Sequence, residues 1–122
     1  MPTTHKVAHD FTAVLRLQGF AAAGEKHWAD DVKSVEPRDL PGGIPAVVLG
    51  IAATRTKHRT WLSADRITDL SIDGPFVTGN QFALFIDMMI VGGADPAPGP
   101  FSEIALYTVH NGRVTEERYF YD

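Results

Sequence analysis

The chain has 122 residues, a net charge of −4, and 44% apolar and 21% charged residues. That composition describes one globular domain with enough chain for its own core. It carries no basic stripe, which argues against nucleic acid as a partner. It has no cysteine, which excludes disulfides, thiolate metal sites and a cysteine nucleophile, and fits a reducing cytoplasm. The start lacks a signal-peptide pattern, and no uncharged apolar run reaches the ~18 residues of a membrane span.

Residues 4–18 predict a helix, because Val7, Phe11, Val14, Leu15 and Gln18 recur at helical spacing and Thr3 or Thr4 can cap the start. Gly19 interrupts it, and Phe20 to His27 reads as a short alanine-rich second helix. Trp28 to Asp31 reads as a turn, followed by a short strand from Val32 to Glu36 that ends at Pro37. Arg38 to Gly43 is a loop by composition. From Ile44 a third helix is expected, with Pro45 in its first turn and its end near Leu62 to Ala64. Ile44, Val47, Val48, Ile51, His58 and Trp61 would mark one face.

Beyond Arg66 the period changes from about 3.6 to 2. A strand is expected over Ile67 to Asp73, bent or broken at Gly74-Pro75, then a turn at Gly79-Asn80 and a long apolar strand from Gln81 to Val91. Gly92 to Pro100 reads as a loop by composition that could act as a lid or simply be disordered. The chain closes in a hairpin, Ser102 to His110 and Arg113 to Tyr121, joined at Asn111-Gly112, where a type I′ turn needs positive φ at both central residues. The order ααβαββββ implies an α+β domain with helices covering one face of a curved sheet.

Trp28-Ala29-Asp30-Asp31, Val35-Glu36-Pro37 and the closing run from Tyr107 to Tyr121, taken with that order, resemble the SnoaL-like family of the nuclear transport factor 2-like superfamily, which also holds ketosteroid isomerase. The resemblance covers nearly the whole chain. It implies a cone-shaped, cystatin-like fold, in which a curved antiparallel sheet and three helices surround a pocket. It also implies a homodimer paired through the outer sheet face. Members of that superfamily have many functions, so fold alone decides little.

The resemblance places Glu36 where ketosteroid isomerases hold a carboxylate base just before a proline. At the rim of an apolar pocket such a group is pushed toward a useful general-base value; the alternative is a strand-end glutamate in solvent. The isomerase's oxyanion donors are missing, because Arg16 and Leu17, and Ile104 and Ala105, occupy their regions. Glu103 falls one or two residues before the missing aspartate, at a position where related sequences often carry glutamate. It could face the pocket or sit at the surface. By alternation it shares a face with Ala105, Tyr107 and Val109.

Asp87 interrupts an apolar strand and shares a face with Phe85 and Met89. It either lines the cavity or pairs with Arg118 or a dimer mate. Arg118 could hold a substrate carboxylate or pair with Glu103 or Asp87. Tyr119, like Tyr107, is a pocket hydrogen-bond donor candidate. Glu116 and Glu117 are expected to be solvated. Trp28, His58 and Trp61 are packing residues by the plainer reading, and His58 and Trp61 lie three apart on a helix face that could look into the cavity. His5 and His9 lack a third ligand, so no metal site is expected.

Two functions compete. One is a cofactor-independent isomerase- or cyclase-type enzyme acting on a small apolar molecule, with Glu36 shuttling a proton and Glu103, Asp87 or Tyr107 assisting. The other is a non-catalytic ligand-binding or dimerisation module with a pocket lined by residues such as Trp61, Phe82, Phe85, Met88 and Met89. They differ in whether two carboxyl groups face one void.

Overall fold

A computed structural model describes residues 2–61, 66–93 and 97–122. Two helices come first, α1 (Thr4–Gln18) and α2 (Phe20–His27), followed by strands β1 (Trp28–Val35) and β2 (Val47–Leu49). Helix α3 (Ile51–Trp61) precedes the long strands β3 (Ile67–Thr78), β4 (Gln81–Ile90), β5 (Gly99–His110) and β6 (Arg113–Phe120). All six strands form one sheet in the order β2-β1-β6-β5-β4-β3. Its neighbours are antiparallel except β1 and β6, which run parallel. That pairing brings the early WADD…VEP segment beside the end of the chain.

The first two helices match the expected bounds. Thr3 caps α1 through its side-chain oxygen, which accepts from Lys6 N–H at 3.2 Å. The helix buries Val7, Phe11 and Leu15 against the sheet. At the centre, the Phe11 ring lies 4.5 Å from that of Tyr107, which stacks on Phe82 at 4.9 Å. Truncating such a fully buried aromatic costs about 3–5 kcal/mol. The closing hairpin turns at Asn111 (φ 51°) and Gly112 (φ 73°), as the Asn-Gly pair requires.

Two expectations fail in the middle of the chain. Trp28 to Asp31 is not a free turn: it belongs to β1, where the pairing with β6 slips between Trp28 and Lys33. The turn-like residues occupy that irregularity. The helix expected from Ile44 begins only at Ile51. Val47 to Leu49 instead pair with Val35 to Lys33 as an edge strand, burying Val48 and exposing Val47 and Leu49. Ile44, Val47, Val48 and Ile51 also fit a helical spacing, and it is the pairing of Val47–Leu49 with β1 that selects a strand there. The end expected for α3 at residues 62–64 lies outside the described residues, as does part of the expected loop, residues 94–96. Strand β3 runs through Gly74-Pro75 with a register slip between Asp73 and Phe76, which is the expected bend.

Candidate functional site

The strands aim polar side chains into the interior. From buried Val32, alternation along β1 sends Ser34 and then Glu36 inward. On β5 it sends Glu103, Ala105, Tyr107 and Val109 inward. On β6, counting by two from buried Val114 would point Glu116 into the core. The pairing with β5 slips there, with Val109 opposite Val114 but Thr108 opposite Glu116. The extra residue, Thr115, reverses the parity and buries Glu117 and Tyr119 instead. Helix α3 covers them with Thr54, Lys57, His58 and Trp61, spaced at i, i+3, i+4 and i+7.

Glu117 is the hub. It is 1% exposed, and its carboxylate accepts from Trp28 Nε1–H (2.8 Å), Ser34 Oγ–H (2.7 Å) and His58 Nε2 (2.7 Å). Burial pushes this carboxyl up, but the His58 charge and hydrogen bond, the Ser34 hydroxyl and the Lys57 charge outweigh it and hold the value at about 2. An ionised carboxylate only accepts, so His58 Nε2 must carry the proton in this bond. The other ring nitrogen, Nδ1, makes no hydrogen bond among the described residues. The dyad is thus oriented from behind, with the imidazole edge at the cavity.

Glu36 lies beside this hub in a second buried cluster. Its Oε2 is 2.6 Å from Lys57 Nζ, and both side chains are 3% exposed. Tyr121 donates its hydroxyl to Oε1 at 2.8 Å. Lys57 also donates to Ser34 Oγ at 2.6 Å, which links the two clusters. Burial and the neighbouring Glu36 charge push the Tyr121 hydroxyl far above the usual tyrosine range.

Glu103 is 6% exposed and makes no hydrogen bond among the described residues. Burial pushes its carboxyl up to about 8, with the charges of Glu36 and Glu117 adding to the effect and Lys57 opposing it. At neutral pH it is therefore a protonated, neutral acid. Glu36, Glu103, Lys57, His58 and Tyr119 surround one small void together with Phe20 and Trp61. Its volume is about 20 Å³, room for about one water. Phe20 and His58 also line a wider groove of about 450 Å³ between the end of α1, α3 and the start of β3. Among the described residues no group of three or more His, Cys, Asp or Glu side chains is arranged to hold a metal ion.

A profile of the SnoaL-like domain matches residues 2–121. The chain belongs to the SnoaL-like domain family. A Mesorhizobium loti protein, provisionally named a SnoaL-like polyketide cyclase with carbohydrate phosphatase in brackets, is 37% identical; the alignment covers 98% of this chain and 100% of that one with a TM-score of 0.85. A Xanthomonas campestris protein of unknown function with a cystatin-like fold has a TM-score of 0.77 at 16% identity over 98% of this chain and 90% of its own. A nuclear transport factor 2-like protein of unknown function from Cytophaga hutchinsonii has a TM-score of 0.67 at 18% identity over 100% of this chain and 92% of its own. The last two show the fold alone. No functionally curated protein matches the chain. The architecture is thus the cone-shaped, nuclear transport factor 2-like fold.

In this SnoaL-like domain, Glu36, Glu103, His58, Trp61 and Tyr119 come together at the inner void. Trp28 and Tyr107 are buried just behind it, Trp28 holding Glu117 and Tyr107 with a hydroxyl that lacks a well-formed hydrogen bond although Tyr119 adjoins it. Asp87, Phe85 and Met89 are not brought to the site. The β4 face that faces the core is Phe82, Leu84, Ile86, Met88 and Ile90, so their alternates point outward. Asp87 there accepts from the Ser102 hydroxyl, not from Arg118. Arg118 also points out, pairing with Glu116 at 3.3 Å, because the parity that buries Glu117 and Tyr119 excludes it. Glu117, expected to be solvated, is instead the most hydrogen-bonded carboxylate of the interior. Lys57, Ser34, Tyr121 and Phe20 belong to the site and are not among the sequence candidates. The spacing of Thr54, Lys57, His58 and Trp61 on one helical face was the available signal for Lys57, and alternation from Val32 was the signal for Ser34.

Proposed function

We propose that this SnoaL-like domain binds a small, largely apolar carbonyl compound and moves a proton between a carbon next to the carbonyl and its oxygen. The observation that carries the reading is a buried carboxyl group, Glu103, and an imidazole held in one orientation, His58, on one void. Glu103 supplies the acid. His58 supplies the base, held by Glu117 through Nε2 while Nδ1 makes no hydrogen bond among the described residues. Glu36 also faces the void, but one of its oxygens is engaged by Lys57 and the other by Tyr121. His58 is therefore the better-placed base, and the Glu36–Lys57 pair supplies a fixed field beside it.

In the reaction, His58 acts in its neutral form, with its own proton on Nε2 toward Glu117: Nδ1 takes the α-proton, the C–H electron pair becomes the enol double bond, and the carbonyl oxygen takes the Glu103 proton, leaving an imidazolium paired with Glu117. Return of a proton to a different carbon gives an isomer; attack of the enol carbon on a second carbonyl in the same molecule closes a ring. This chemistry requires no cofactor. General acid–base catalysis of this kind contributes about 10²–10⁴-fold. The designation of the Mesorhizobium relative as a cyclase supports the same reaction class.

Proton–deuterium exchange into a panel of cyclic ketones and 1,3-diketones, followed by NMR in heavy water, tests the reading. The wild type should accelerate exchange for at least one member, and His58→Gln and Glu103→Gln should each lower that rate about 100-fold or more. No acceleration by the wild type, or full rates in either variant, would overturn it.

A second reading, a non-catalytic binding or dimerisation module, is favoured by the small void, since about 20 Å³ cannot hold a ring system without movement of its walls. In either case we infer a homodimer. Phe85, Ile104 and Phe120 stand side by side on β4, β5 and β6 of the outer sheet face, each more than 40% exposed. Exposed apolar rows of this kind mark interfaces. The cysteine-free chain fits a cytoplasmic location, and among the described residues no helix is long and apolar enough to cross a membrane.

A further inference from the structure

The groove outside the inner void has a chemistry of its own. Its walls carry the apolar side chains of Leu15, Leu17, Phe20, Ile67 and Leu70, and its charges among the described lining residues are two guanidiniums against one carboxylate, Asp69. Arg16 is fixed in place by donating to the Ile72 carbonyl at 3.0 Å. That bond uses one of the five donors of its fork. Arg59 is exposed and makes no ion pair or hydrogen bond among the described residues. Neither arginine pairs with Asp69. An apolar trough with a fixed cation and a free one matches a ligand that is apolar along its body and anionic at one end. The groove joins the inner void through Phe20 and His58, which line both.

We infer that the ligand is an amphipathic organic acid: its apolar body lies in the groove, its anionic group meets Arg59 and Arg16, and its carbonyl end passes Phe20 to reach His58 and Glu103. This rests on the proton-transfer reading for the inner end, and narrows the substrate class to keto acids whose carbonyl is remote from the carboxylate. Such a molecule also reconciles a water-sized inner void with a sizeable ligand, because only the reacting end has to enter.

Two fluorescent probes with the same aromatic body separate the contributions. Anilinonaphthalene sulfonate is anionic and N-phenylnaphthylamine is neutral. The wild type should bind the sulfonate more tightly. Arg59→Gln should weaken it about tenfold, the scale of one charge-assisted contact, while leaving the neutral probe unchanged. Arg59 is exposed, so this variant should fold. Leu17, 83% exposed on the groove wall, provides a second variant: Leu17→Glu should weaken the sulfonate probe as well. Glu103→Gln should lower proton exchange about 100-fold or more yet keep sulfonate binding, so the two readings fail independently. Equal affinity for both probes, no binding of the sulfonate, or an Arg59→Gln variant that binds it like the wild type would overturn the inference.

Discussion

Replacing Glu103 by glutamine should make the protein more stable at neutral pH. The side chain keeps its size and shape, but can no longer ionise. In the folded protein the Glu103 carboxyl is pushed up to about 8 from an ordinary 4.5, by burial first and by the Glu36 and Glu117 charges next. The unfolded chain gains stability by ionising it as soon as pH passes about 4.5. The wild type is therefore at its best, with respect to this group, below about pH 4.5, and loses that contribution as pH rises to about 8. At about 1.36 kcal/mol per pH unit, the deficit relative to glutamine is about 3 kcal/mol at pH 7 and about 5 kcal/mol above pH 8. Urea unfolding of both proteins from pH 4.5 to 9 measures it. The two stability curves should nearly meet at the acid end and diverge steadily toward pH 8. A pH-independent difference, or a variant less stable than the wild type at pH 7, would refute the reasoning.

Three further outcomes follow from the same geometry. Lys57→Met removes the cation beside the buried Glu36 carboxyl, which keeps only the Tyr121 hydroxyl, and should cost about 3–5 kcal/mol in urea unfolding, with much of the loss recovered in the double variant that also carries Glu36→Gln. Gly24→Ala would place a methyl group 2.1 Å from the Trp28 ring; the indole must shift off Glu117, giving a loss of about 1–3 kcal/mol and a changed tryptophan emission spectrum. An unchanged spectrum would show that Trp28 does not depend on that gap. Ile104→Glu introduces a charge at the centre of the outer apolar row; if that row forms the inferred dimer, light scattering should show a dimer for the wild type and a monomer for the variant, with the fold intact by circular dichroism, and a monomeric wild type would refute the inference.

Much of the architecture was legible because it rests on local signals. The helical spacing of Val7, Phe11 and Leu15, the Asn-Gly turn and the alternation of β4 and β5 each act over a few residues. The segment from Ile44 to Leu49 misled because three or four apolar residues fit both periods, and the choice was made by pairing with β1, a tertiary effect. The candidate site was legible at Glu36, Glu103 and His58, and not at Glu117 or Arg118. On β6 the direction of every side chain depends on the extra residue Thr115, which disappears from view unless the partner strand is known. Asp87 drew attention as a lone carboxylate in an apolar strand, yet a strand covered on one face exposes every second residue, and Asp87 occupies such a position. The residue that matters most, Glu117, resembles any solvated glutamate until the donors of Trp28, Ser34 and His58, up to 89 residues away, converge on it.

The protonation state of Glu103 is the point on which the acid–base reading turns, and it can be observed one group at a time. In protein labelled with carbon-13, the side-chain carboxyl resonance of Glu103, assigned by its loss in Glu103→Gln, should titrate with a midpoint near 8, while that of Glu117 stays ionised down to about pH 2. A Glu103 midpoint at an ordinary carboxylate value near 4.5 would contradict the reading, because the void would then hold no neutral acid at pH 7.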